Sequence, residues 1–350
     1  MSQLSPAARQ HYHALLVRIA QTYGAENARE EFNVEPTHAQ SLNDQITLTS
    51  AFLQRINVIG VSEIKGEKVM MGVNGTVTGR TDTDKHDREP RNVLGLDGQG
   101  YELHDTHSDV TLKFATIDAW AKFKDFAQRY TAAVRRQIAL DRIMIGWHGI
   151  KIAADTDREA FPLLQDVNKG WLQIVREQAP QQILVEGAVK GKIRVGLLGD
   201  YVNLDSLVHD VSLMIDEEFR DGGDLVAIIG RDLLAHDKGR LYAQQGHTPS
   251  EKLKVELAQV IDTYGGLPSY TCPHFPAKGV VVTSFANLSI YFQDSSWRRH
   301  LVENPKRSRA EDYNSRNEGY VVEQLGKFAA IEAGNVEFAE LPPFIQEPEA

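Results

Sequence analysis

A single cysteine, Cys272, is present in 350 residues. It can neither close an intramolecular disulfide nor build a thiolate zinc centre, so synthesis in a reducing cytoplasm is expected. Long apolar runs are missing too. No stretch reaches the ~18 consecutive apolar residues of a membrane span, and the opening segment lacks the basic start and apolar run of a secretory signal. Neither a membrane-spanning nor a signal-bearing chain is expected. The Asn-x-Ser/Thr triplets at Asn74 and Asn287 therefore carry no glycosylation meaning. Positive charge is in short supply: 38 Lys and Arg face 48 Asp and Glu, a formal net charge of −10. That balance disfavours adsorption to phosphate backbones or acidic membrane leaflets. Enzyme signatures are also absent. No G-x-G-x-x-G follows a strand and no G-x-S-x-G occurs, while Gly75, Gly79, Arg80 and Thr81 form a phosphate loop one residue short, with Arg where Lys is needed.

What is present is an ordinary globular composition, 42% apolar and 25% charged, long enough for about two domains. Helical spacing marks residues 7–22 behind Pro6, and again 38–55 through Leu42, Ile46, Thr49, Leu53 and Ile56. From 67 to 78 the period changes to two, and Val110, Leu112 and Phe114 repeat it. Between these two strands lies Arg80–Arg91, without one aliphatic side chain. Two strands alone are marginal in water, and a long polar connection is unusual inside a compact domain. An arm with a mixed-charge tip suits a second copy of the chain, through Arg80, Asp82, Asp84, Arg88 and Arg91.

The longest helical pattern follows directly, 117–148 with Trp120, Phe123, Phe126, Tyr130, Val134 and Ile138 on one stripe, closed by Gly149. Beyond it the spacing predicts helices over 168–179 and 204–219, the second capped by Asn203, and a hairpin over 181–196 turning at Lys190-Gly191. A buried strand is expected at 225–230 and a capping box at Thr248-Pro249-Ser250-Glu251, opening a helix to about 262. After 280 the chain is strand-rich.

Three features could carry chemistry. Asp105, His107 and Asp109 would share one face of a strand and could offer a metal two carboxylates and an imidazole, the basis of a competing reading as a metal-dependent hydrolase. Cys272 lies in Cys-Pro-His, where a structural cysteine is the simpler reading. Arg298, Arg299, Lys306, Arg307 and Arg309 stand among Glu303, Glu311 and Asp312. A nucleic-acid face would want aromatic interleaving and a net positive stripe, so this patch is expected to be an inter-subunit ion-pair surface. The pattern favours an interaction protein over an enzyme.

Several blocks resemble the major capsid proteins of peduoviruses, temperate contractile-tailed phages: FNVEPT (32–37), FLQRINVIGVSEIKGEK (52–68), TDTD (81–84), DAWAKFKDF (118–126), LQDVNKGWLQIVREQAP (164–180), GDYVNLDSLVHD (199–210), LVAIIGRDLLA (225–235), GGLP (265–268), PHFPAKGV (273–280) and NLSIYFQDSSWRRHLVENPKRSRAEDYNSRNEGYVVE (287–323). The last block is long enough to be specific. The resemblance implies an α+β chain with the tailed-phage and herpesvirus-type capsid shell fold. It divides into a scaffold-binding N-terminal arm (1–32), a mature arm (33–55), an extended two-stranded loop (56–115), a peripheral domain with a spine helix (116–199), an axial domain (200–285), a return to the peripheral domain (286–335) and a flexible tail (336–350). It further implies removal of the first segment by a prohead protease at Glu31, Phe32 or Asn33. Pentamers and hexamers would close into an icosahedral prohead that encloses double-stranded DNA without reading its sequence, with scaffold and portal as further partners. Neither catalytic residue, cofactor, metal nor membrane contact is implied. A cellular nanocompartment shell of the same fold is the remaining alternative. The hairpin at 181–196 is shorter than expected for the family, and 336–350 matches no block.

Overall fold

The structure, a computed structural model, describes residues 6–30, 32–68, 78, 80–85, 87–88, 100–120, 125–196, 198–245 and 263–339. Helix α1 (Pro6–Tyr23) leads through strand β1 (Phe32–Asn33) to α2 (Pro36–Thr47). α2 stops well before the expected residue 55: the Thr49 hydroxyl donates to the Ile46 carbonyl at 2.6 Å, competing with the helix, and a turn then buries Phe52 and Leu53. Strands β2 (Asn57–Val61), β3 (Lys65–Glu67), β4 (Gly100–Glu102), β5 (His104–His107) and β6 (Val110–Lys113) follow. The period-two run at 67–78 lies almost wholly outside the described residues.

The single spine expected over 117–148 is two helices, α3 (Phe114–Trp120) and α4 (Phe126–His148). Asp125, at φ −99° and ψ 18°, has left the helical region, so α4 starts afresh after it. Trp120, placed on the apolar stripe by spacing, is 39% exposed. Gly149 does close α4, yet in an extended conformation (φ −60°, ψ 127°) rather than a left-handed cap. Its lack of a side chain is required by proximity, since a Cβ there would sit 2.2 Å from the Asn168 carbonyl. Gly146 likewise admits the Trp171 ring, which would lie 2.3 Å from its Cβ.

The chain continues through α5 (Trp171–Gln178), β7 (Ile183–Leu184), β8 (Ile193–Val195), α6 (Leu204–Leu213) and α7 (Glu217–Arg220). The 181–196 segment does turn at Lys190-Gly191, with Gly191 at φ +69° and Val189 bridged antiparallel to Lys192, but the hairpin is confined to that tip, since β7 and β8 join different sheets. The helix expected over 204–219 breaks at Asp216, extended at ψ 141° and donating its N–H to the Gly326 carbonyl. Next come β9 (Val226–Ile229), α8 (Arg231–Gln245), β10 (Thr263–Tyr264), β11 (Leu267–Tyr270), β12 (Val280–Thr283), β13 (Leu288–Gln293), β14 (Arg298–Asn304), β15 (Arg309–Val322), β16 (Ala329–Ile331) and β17 (Val336–Phe338). The capping box at Thr248 lies outside the described residues.

Among the described residues the strands form two main sheets. In the seven-stranded one, β15 is central: β14 and β13 follow one another along one edge, and β6 and β5 along the other. Ser315 thus pairs with both Arg298 and His107, and Glu318 with both Phe292 and His104. α1 packs on α2, α3 and α4, while α5 packs on α4 and β15, burying Tyr12, Leu15, Ile19, Ile143, Trp147 and Trp171. The second sheet runs β10-β11-β9-β12-β16-β7. With α6 it encloses an aliphatic core that also draws Ile193 and Val195 from before the expected 200–285 domain and Ala329, Ile331 and Val336 from after it. Residues 336–338, assigned to a flexible tail, are a strand beside β8. The N-terminal segment, expected as an arm, is part of the first core through α1.

Candidate assembly surfaces

A separate two-stranded ribbon, β3 with β4, grows from β2 and β5. Lys65 faces Glu102 across it, Nζ to Oε1 at 2.7 Å, and both remain well exposed. Beyond this root Arg80, Asp82, Asp84 and Arg88 are all exposed, while Arg91 lies outside the described residues. Asp82 is committed locally: it pairs with Lys85 at 3.1 Å and accepts from the Asp84 backbone N–H at 3.2 Å, an Asx turn.

The two arginines expected side by side at an interface point to opposite faces of β14, as period two demands. Arg298 is exposed. Arg299 is not a surface residue: at 2% exposure it donates to both oxygens of Asp312 at 2.8 and 2.6 Å, and its guanidinium lies 4.6 Å from the Tyr23 ring centre. The Tyr130 hydroxyl also donates to Asp312 at 2.8 Å, and burial, then the Asp312 charge, push the phenol well above its ordinary pKa. Arg309 turns to Glu311 at 2.6 Å on the same strand face. Of the expected inter-subunit patch Arg299 and Asp312 are internal, while Arg298, Lys306 and Arg307 are exposed and Arg309 is half-buried.

Sequence reasoning missed a second buried network. Arg142 from α4 and Arg316 from β15 both hydrogen-bond Glu318 Oε1, and Arg142 also donates to Asn43 Oδ1 at 2.6 Å. Burial alone would raise the Glu318 carboxyl, but the two guanidiniums outweigh it and hold the pKa down to about 2. Two opposite-charge i,i+2 pairs on β15, Arg309/Glu311 and Arg316/Glu318, were the available signal.

Of the residues expected at a processing site, Phe32 and Asn33 form β1, paired to Arg299 and Arg298 at the sheet edge. Phe32 packs edge-on to Tyr23, ring centres 6.2 Å apart. Glu31 lies outside the described residues. The candidate metal set does not converge: His107 and Asp105 meet at 3.1 Å, but Asp109 Oδ1 accepts from the Asn314 backbone N–H at 2.9 Å. No group of three His, Cys, Asp or Glu among the described residues could hold a metal ion. Cys272 accepts from the Trp147 indole N–H at 3.4 Å, and burial pushes its thiol up to about 12, far from a reactive thiolate.

Two large cores, a small one beneath the ribbon and buried ion pairs make an α+β subunit, and its class as a tailed-phage shell protein comes from its relatives. Comparison with known proteins gives the family. The sequence matches the family described as phage major capsid protein, P2 family, over residues 11–333. It is 38% identical over 331 residues to the capsid protein of Escherichia phage P2, covering 92% of each chain. It is 32% identical over 308 residues to the major capsid protein of Serratia phage KSP20, covering 86% of this chain and 88% of that one. Among solved structures it is similar to a chain of the satellite phage P4 procapsid including size determination (Sid) protein, at TM-score 0.79 and 35% identity over 96% of this chain and 99% of the other. The chain belongs to the P2 family of phage major capsid proteins. It is a subunit of a virion shell built from repeated copies.

Proposed function

We propose that the chain assembles through pentamers and hexamers into an icosahedral prohead in the host cytoplasm, encloses packaged double-stranded DNA and performs no catalysis of its own. The observation that supports this reading is the β3–β4 ribbon: Tyr101 anchors its root on Tyr291, ring centres 5.0 Å apart, while Arg80, Asp82, Asp84 and Arg88 beyond it are exposed and would gain by lying on a neighbour. Many copies of a modest contact suffice, because closure of the shell supplies avidity. The net charge of −10 leaves an enclosed nucleic acid free to slide past the wall. The hydrolase alternative gains no support from Asp105, His107 and Asp109, since Asp109 is occupied by Asn314.

Scaffold, portal and prohead protease belong to the same proposal, with the cut at Glu31, Phe32 or Asn33. A protease needs an extended, detached segment, so β1 must first leave β14. After such a cut α1 would no longer be tethered, and Tyr12, Leu15, Ile19 and Tyr23 could leave the first core. Deleting Arg80–Arg91 should give a folded subunit that builds no stable shells when co-expressed with scaffold. Normal particles by electron microscopy would overturn the ribbon's role.

A further inference from the structure

The contact between β17 and β8 runs on past the strand: the Ala339 N–H donates to the Val195 carbonyl at 2.9 Å, and the Ala339 carbonyl lies 3.0 Å from where a Cβ on Gly196 would sit. Gly196, at φ +142°, opens the 196–202 loop. The exit of the chain is held from behind, because Phe338 stacks on His236 with ring centres 4.3 Å apart and has Lys278 Nζ 5.0 Å from its ring centre. Residues 340–350 lie outside the described residues and leave from that point. The loop beside the exit is apolar on its surface: Leu198 is 62% and Val202 54% exposed. The turn before β8 is tied to the same loop, Ala188 N–H donating to Asp200 Oδ1 at 3.1 Å, and adds exposed Val189. Scattered exposed apolar residues are ordinary, but three on one pair of joined loops ask for a cover. The acids nearby are occupied, since Glu186 accepts from the Gly191 N–H, Asp200 pairs with Arg194 and Glu337 with Lys192. Lys190 is exposed and makes no ion pair among the described residues.

The sequence that leaves beside this surface complements it. Leu341 precedes Pro342 and Pro343, a pair that favours the polyproline II helix, so little freedom remains to be lost on docking. With three residues per turn, that helix puts Leu341, Phe344 and Glu347 on one side, successive members about 9 Å apart. Residues 340–350 carry Glu340, Glu347 and Glu349 and no basic side chain, opposite in sign to Lys190. We propose that residues 341–347 dock on the 196–202 loop of their own subunit, with Leu341 and Phe344 over Leu198 and Val202 and Glu347 toward Lys190. Glu340 is the only spacer between Ala339 and Leu341, and so short a tether gives the chain's own segment a higher effective concentration than any neighbouring copy.

The test is amide hydrogen exchange of the purified full chain. The N–H groups of Phe344, Ile345 and Gln346 should exchange at least about tenfold more slowly than in a synthetic peptide of residues 340–350. Leu198→Ser combined with Val202→Ser, both at exposed positions, should return them to the peptide rate, whereas Ile150→Ser, exposed elsewhere, should leave the protection intact. Slow exchange of β9 and β12 in the same map reports that each variant is folded. Lys190→Glu should lower the protection by about twofold to fivefold, the scale of a surface ion pair, and an unchanged rate would overturn the contact with Glu347. Exchange at the peptide rate in the parent chain would overturn the docking itself. So would protection that survives the Leu198 and Val202 double variant, which would put the segment on another surface. Protection that rises with protein concentration would assign the site to a neighbouring copy and overturn docking within the subunit.

Discussion

Under α6 the fully buried side chains are Leu204, Leu207, Val208 and Val211 against Ala227, Ile229, Val280 and Val282, aliphatic throughout. Under α4 the equivalent sheet face presents Asp312, Asn314, Arg316 and Glu318 between Ala310 and Tyr320, all buried. Both are helix-on-sheet interiors of one chain, yet they respond differently to damage. An aliphatic core loses stability in proportion to the volume removed, because its neighbours relax partly into the gap. A charged core is closer to all-or-none: removing one partner strands the others without water, whereas removing the whole set leaves nothing unsatisfied.

The largest effect should come from Glu318→Ala, which leaves Arg142 and Arg316 facing one another unneutralised. A loss of about 3–5 kcal/mol is expected in denaturant unfolding. Replacing Arg142, Arg316, Glu318 and Asn43, whose buried Oδ1 Arg142 serves, together by Met or Leu should recover most of it, and such a variant as unstable as the single one would break the all-or-none description. Leu207→Ala, in the aliphatic core and fully buried, should cost about 3 kcal/mol. If it costs more than Glu318→Ala, the contrast between the cores is reversed.

Acid separates the same two regions. Glu318 has its folded pKa depressed from 4.5 to about 2, so its stabilisation is complete above 4.5 and is lost as pH falls through about 2. Thermal melts of the parent chain and Glu318→Gln should therefore differ at neutral pH and converge toward pH 2. Leu207→Ala should keep a constant offset from the parent across that range. A parent-to-Gln gap that is flat with pH would mean the guanidiniums are not what holds the carboxylate ionised.

The contrast also explains which parts of the fold could be foreseen. The second core announces itself in residues, because LVAIIG, VVVTSF and the Leu204–Val211 stripe are apolar at the periods of their elements. The first core hides. DYNSRNE looks like a solvated strand or loop, and only burial beneath α1 and α4 turns its alternate residues inward, so Arg299 was placed on the surface when it is an interior ion. The break between α3 and α4 was invisible for a related reason: Trp120, Phe123 and Phe126 continue a helical stripe, and spacing carries no information about where a backbone departs from it. The ribbon was legible only in part: the strand expected at Val110–Phe114 is β6 of the first sheet, paired with β15 and buried through Leu112, and the expected 56–115 loop takes in β2 and β5 of that sheet as well, leaving only β3 and β4 outside it.

The smallest effect concerns the helix ends, where local sequence and structure agree in one core and not in the other. Asn203 Oδ1 accepts from the Ser206 N–H at 2.7 Å and caps α6 as its position suggested, so Asn203→Ala should cost about 1 kcal/mol. Glu35 stands at the matching position of α2 but makes no side-chain hydrogen bond there, and the Pro36 that follows lacks one of the donors a cap would satisfy. Glu35→Ala should therefore leave the melting temperature unchanged. Equal losses at the two sites would show that α2 depends on a local cap. A loss at Asn203 alone would mean that Ala39, Leu42 and Ile46, buried against α4, are sufficient to hold α2 in place without one.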